Sequence, residues 1–170
     1  MSIDVAQISA LLMHPTWDVI AIFVFVGGGF FYGWASGKAR LVAVLMAMYL
    51  AQLIFVNAQF LNSFTAGRDL MEVFILRIVF FVTITMALAA FLIRTIFNML
   101  PEGERVWWQL FLLSFAEVGL LMSTIFRLLP ASELFSFSPL VKYVFASQAA
   151  FSTWLILPLI ALFVTMRRRY

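Results

Sequence analysis

The chain contains no cysteine and a single histidine, His14, and only eight of its 170 residues are acidic. Without cysteine there are no disulfides and no thiolate metal sites, and the redox compartment leaves no mark on the sequence. One histidine rules out bis-histidine haem ligation within the chain, and no serine has a histidine partner in a plausible span. Asp18 has no second deep aspartate with which to form a carboxylate pair, and the usual ligands for a metal cluster are missing. The expectation is a non-enzymatic protein without cofactor or metal.

Charge of either sign is also scarce. Charged residues make up 11% of the chain and hydrophobic ones 65%, whereas soluble domains carry about a quarter charged residues. Mean hydropathy is +1.06. A chain this short cannot hide so much apolar surface in its own core, so lipid must solvate it. The formal charge of +3 does not point to nucleic acid, because the bases are scattered between apolar segments and form no patch that would follow phosphates. Composition therefore indicates an all-α, polytopic transmembrane helix bundle with the lipid bilayer as its first partner.

A spanning helix needs about 20 mostly apolar residues. Windows 17–36, 41–57, 73–93, 106–126 and 143–166 qualify, and the short linkers between them place all of 1–170 in one transmembrane domain. Helices are expected because every backbone polar group in hydrocarbon must be satisfied internally. Ahead of the first window, Ile3, Ile8, Leu11 and Leu12 fit one side of a short interfacial helix ending at Pro15, with a frayed terminus as the alternative. This stretch lacks the basic start of a cleaved signal peptide.

Lysine and arginine in short loops set orientation. With the amino terminus outside, Lys38, Arg40, Arg94, Arg105 and Arg167 to Arg169 fall on the cytoplasmic side, and Arg68, Arg127 and Lys142 on the outer side. Seven bases against three favour an inner-membrane, multi-pass topology with the amino terminus outside and the carboxyl terminus in the cytoplasm. Trp17, Trp34, Trp107 and Trp108 lie at the expected water interfaces, where amphipathic rings settle; only Trp154 lies deep.

Glycine weakens a helix in water by about 1 kcal/mol relative to alanine, yet the first span carries "GGGFFYG". Gly29, Gly33 and Gly37 recur every four residues and so share a helical face. In lipid such a stripe permits close backbone approach, and a packing face toward the second span is expected. Gly27 and Gly28 lie off that stripe, near mid-depth.

Ionisable residues inside a membrane are functional candidates by default. Glu117 stands ten residues after Trp107, about 15 Å into its span. Counting inward from the helix ends brings Gln52, Thr83, Pro158 and the Gly27–Gly28 pair to a similar depth. The preferred reading makes Glu117 structural glue, a neutral acid hydrogen-bonded to Gln52 or Thr83; the alternative gives it a proton- or solute-coupled role. Arg77, one turn from the outer surface, is expected to snorkel or to pair with Glu72 or Asp69. Asp18, in the first turn of the first span, suits the helix dipole and a capping role.

Two blocks carry a family likeness. "WDVIAIFVFVGGGFFYG" opens the first span with Trp-Asp-aliphatic and continues into glycine–aromatic steps, with Asp18, Gly29, Phe30 and Gly33 as the matching positions. "ERVWWQLFLLSFAEVGLL" contributes Glu104, Arg105, Glu117 and Gly119. The arrangement resembles the colicin V production proteins, small bacterial inner-membrane proteins. Trp108 and Ser114 stand where that family usually has glycines, and Lys38 and Arg40 replace its basic–acidic pair. The resemblance spans 17–129 and implies a part in toxin production, secretion or other envelope processes; it adds no catalytic residue. Two other readings stand beside it: an accessory subunit of a larger membrane complex, with other subunits or further copies of the chain as partners, and a small transporter centred on Glu117.

The topology is directly testable. Alkaline phosphatase fused after Tyr170 is expected to be inactive and a fluorescent protein fused there to fluoresce; phosphatase activity in the periplasm would reverse the assignment.

Overall fold

The computed structural model describes residues 17–95, 106–128 and 137–167. The suggested interfacial helix before Trp17, together with His14, Glu104, Arg105, Arg168 and Arg169, lies outside them. Among the described residues all regular structure is helical. The elements are α1 (Trp17–Ser36), α2 (Lys38–Asn57), a short α3 (Phe60–Thr65), α4 (Leu70–Thr95), α5 (Trp107–Leu128), the single turn α6 (Pro139–Val141), a π-helical turn (Lys142–Ala146) and α7 (Gln148–Arg167). Five of these, α1, α2, α4, α5 and α7, are long and apolar enough to cross a membrane. The protein is a multi-pass α-helical membrane protein.

Three spans start three residues or more from where the sequence placed them: at Lys38, Leu70 and Gln148 in place of 41, 73 and 143. The second span begins at Lys38 because Gly37, at φ 85°, reverses the chain in a conformation open to glycine, so α2 starts at once. The last span begins at Gln148 rather than 143. Ser147 is extended and its hydroxyl accepts the Ala150 amide at 3.1 Å, capping α7, so that 139–146 form a separate helical piece. Pro158 nevertheless sits inside α7, fully buried, as neighbouring helices allow in membranes.

α5 is the centre. Two thirds of its spanning window is buried, against 6% for α1 and 11% for α4. α1, α2, α7 and the π-helical turn all pack on α5, while α4 packs chiefly on α2. Leu41, Val42, Leu110, Leu113 and Ala161 join α2, α5 and α7 at one level. Ala51, Phe55, Leu61 and Phe81 join α2, α3 and α4 at another.

Close approach to α5 relies on its small residues. The Trp154 ring of α7 lies on Gly119 so tightly that a Cβ there would sit 1.9 Å from it. The indole is fixed by stacking on Phe145 and by donating to the Val144 carbonyl at 2.8 Å. Polar ties reinforce the packing. Lys38 Nζ donates to Gln109 Oε1 at 3.0 Å and to the Thr165 carbonyl at 2.8 Å, joining α2, α5 and α7. Tyr49 donates to the Leu155 carbonyl at 2.6 Å, just before the turn that Pro158 interrupts. Asp18 is buried, and its carboxylate accepts the Val19 amide at 3.0 Å and the Ser138 amide at 2.6 Å, tying α1 to the start of α6.

The glycine stripe of α1 divides its work. Gly29 meets Val118 and Ser114 of α5 at ordinary contact distance, a Cβ at Gly33 would lie 2.5 Å from the flexible end of Leu41, and Gly37 is the reversal between α1 and α2. Gly27 and Gly28 face open space.

Overpacking a tight core costs about 1–3 kcal/mol, so Gly119→Ala is expected to lower the thermal midpoint in detergent clearly while Gly27→Ala leaves it in place. Gly33→Leu is expected to reduce folded yield more than Gly27→Leu. Equal midpoints for Gly119→Ala and Gly27→Ala, measured by scanning fluorimetry, would contradict this packing.

Candidate functional site: a groove around Glu117

The turn of α5 that carries Glu117 looks out between two helices that scarcely meet. α1 leans on α5 and α4 leans on α2, and the space left between α1 and α4 is a cavity of about 360 Å³. Its floor is Glu117, Val118 and Leu121 of α5 with Val44 and Met48 of α2. One wall is Phe25, Gly28, Gly29 and Tyr32, the i, i+3, i+4, i+7 face of α1; the other is Phe81, Val82, Thr85 and Met86 of α4. Gly28 shapes it by omission, because a side chain there would project into empty space rather than against a neighbour. Phe25, Val82 and Met86 are exposed, so the cavity opens sideways from the bundle, toward lipid in a spanning protein.

A second cavity of about 230 Å³ also uses Phe25 and is lined further by Trp17, Asp18, Phe74 and Phe137. The two form a groove along α1 and α4, from the end at Trp17 to the middle of the bundle.

Glu117 is the one carboxylic acid lining the larger cavity, and it is partly exposed there. Among the described residues no side chain or backbone group is hydrogen-bonded to it. The partners expected from depth are elsewhere. Gln52 donates through Nε2 to Thr124 Oγ1, whose own hydroxyl donates to the Leu120 carbonyl at 2.7 Å. Thr83 is exposed on another face of α4. The α4 residue that reaches the cavity is Thr85, and its hydroxyl is already committed to the Phe81 carbonyl at 2.8 Å. Pro158 is buried in α7 and lines neither cavity. Arg77 is partly buried on α4 and lines neither cavity, and Glu72 is paired with Arg68 at 3.6 Å.

The structure thus brings Glu117 together with Gly28 and Gly29, and separates it from Gln52, Thr83 and Arg77. Sequence reasoning missed Met48, Met86 and the aromatic residues Phe25, Tyr32 and Phe81 as groove residues. Their helical spacing on α1 and α4 was available as a signal, but which face turned inward was not. Among the described residues no group of three histidines or acids could hold a metal ion.

No family model matches the chain, and neither does any curated protein or solved structure.

An acid that bonds to none of the described residues is not expected to hold the fold together. Glu117→Gln and Glu117→Leu are both expected to keep the parent's thermal midpoint. Gln52→Leu is expected to lower it by the equivalent of about 0.6 kcal/mol, the average for a hydrogen bond between membrane helices. A clear loss of stability in Glu117→Leu would restore the glue reading.

Proposed function

We propose that this is a non-enzymatic inner-membrane protein whose working part is the groove between α1 and α4, where Glu117 meets a membrane-borne ligand. The observation that carries the proposal is an acid at mid-span, inside a laterally open apolar cavity, with no hydrogen-bond partner among the described residues. Polar groups at such depth are costly, by about 2.5 kcal/mol or more for an acidic side chain on insertion scales. A site that leaves one without a partner among the described residues is suited to an external one. The same acid is the group around which proton or solute coupling would be organised.

The physiological setting proposed is support of export or envelope processes, which rests on the likeness of the Trp17–Gly33 and Glu104–Leu121 blocks to colicin V production proteins. The seven-to-three distribution of bases supports a cytoplasmic carboxyl terminus. An accessory-subunit role is the second reading, favoured by the exposed outer face of α1, half of whose residues are exposed within the chain. In that reading, a helix from another subunit or a second copy of the chain covers the groove.

A hydrophobic carbodiimide tests access from lipid, because it reacts with protonated carboxyl groups that the hydrocarbon reaches. Treatment of the purified protein is expected to add one carbodiimide to the peptide containing Glu117 and none to Asp18, which is buried and hydrogen-bonded. Labelling after purification but not in native membranes would favour the accessory-subunit reading. Failure to label Glu117 in either preparation would overturn the groove as a lipid-accessible site.

A further inference from the structure

We propose that the ligand of this groove is a lipophilic cation, a quaternary or charge-delocalised organic ion with apolar substituents, anchored by Glu117. The inference rests on the groove reading above and names its ligand class.

The chemistry of the lining selects against the other classes. A metal ion such as calcium takes six to eight oxygen ligands, and the larger cavity offers one carboxyl group, one phenol and a threonine hydroxyl already bonded to the Phe81 carbonyl. Sugars, amino acids and other strongly hydrated solutes would lose water here without finding replacement hydrogen bonds, at a cost of the order of 1–3 kcal/mol for each group left unpaired. An anion would meet the carboxylate. A neutral hydrocarbon would fill the space but leave the acid unanswered. A spanning helix is about 10–12 Å across with its side chains, and a cavity of about 360 Å³ cannot take it without parting α1 from α4.

What remains is a cation whose charge is spread and poorly hydrated. For such an ion the lining is complementary throughout. Phe25, Tyr32 and Phe81 supply aromatic groups from both walls, and cation–π attraction strengthens as water is excluded. Met48 and Met86 supply polarisable thioethers that adapt to irregular shapes. Glu117 supplies the single opposite charge, its proton leaving to solvent as the cation binds. In a medium of low dielectric the attraction between opposite charges is stronger than in water. Gly28 leaves the room into which the apolar substituents fit.

Tetraphenylphosphonium is the probe, measured by equilibrium dialysis against the purified full chain in detergent. Saturable binding of one ion per chain is expected, and the ion is expected to protect Glu117 from the carbodiimide. Glu117→Gln is expected to weaken binding by about tenfold or more, which is about 1.4 kcal/mol. Glu117→Asp should retain much of the affinity, and Gly28→Leu, which puts a bulky side chain into the cavity and leaves the acid in place, should abolish it. If the parent shows no saturable binding while Glu117 still takes the carbodiimide, the cation inference fails and the groove reading survives. If Glu117 is not labelled at all, both fail. Equal affinity in the parent and Glu117→Gln would also overturn the inference, since the carboxyl would then not be the anchor.

Discussion

Helices in hydrocarbon gain nothing from burying apolar side chains against one another, since lipid tails are equally apolar; close packing and hydrogen bonds must hold them. In this protein that requirement falls on α5. Ser114, Ala116, Gly119 and Ser123 are all small and buried, and they let α1, α7 and the π-helical turn approach the central helix. The tightest of these contacts is Trp154 on Gly119, where a residue with no side chain accepts the largest one. The ring in turn bonds to Val144 and stacks on Phe145, so the π-helical turn, α7 and α5 are positioned together. Ser123 completes the joint by donating to the Phe145 carbonyl at 3.2 Å.

The groove follows from the same constraint. α5 has one face too many for the helices available. α1 and α7 flank it and α2 packs behind it, but α4 is held by α2 and α3 and does not close against α1. The strip of α5 between α1 and α4 therefore remains open, and Glu117 lies on that strip. Were Glu117 one position earlier, at Ala116, it would be fully enclosed by packing. The same register that buries Leu113, Ala116 and Leu120 turns residue 117 toward the opening.

Much of the fold was legible because composition and segment length are direct physical consequences of a lipid solvent. The five spans and their helical character could both be read from runs of apolar residues. Level along the bundle was legible only in part, and azimuth was not. Counting along α4 brought Thr83 to the level of Glu117, yet the residue facing the cavity is Thr85. Two residues further on are about 200° around a helix, so a correct level carried no information on facing. At Gln52 the level itself was misread: counting put it beside Glu117, whereas its amide reaches Thr124, about two turns farther along α5. The four-residue glycine repeat was visible, but one helix face served two neighbours and a chain reversal. Gly119 stood apart from any repeat, and its partner lies 35 residues away in a segment whose start is set by Ser147.

The central claim is that position 117 faces an opening between α1 and α4 while its neighbours in sequence are packed. The absence of cysteine makes this measurable with single spin labels introduced one at a time from Ser114 to Leu121 in the reconstituted protein. Oxygen accessibility is expected to be high at 115, which is exposed on the outside of the bundle, and again at 117, and to fall at 114, 116 and 120, with little access for a water-soluble nickel reagent at any of them. A flat, low profile across all eight positions, with 117 as protected as 116, would contradict the account.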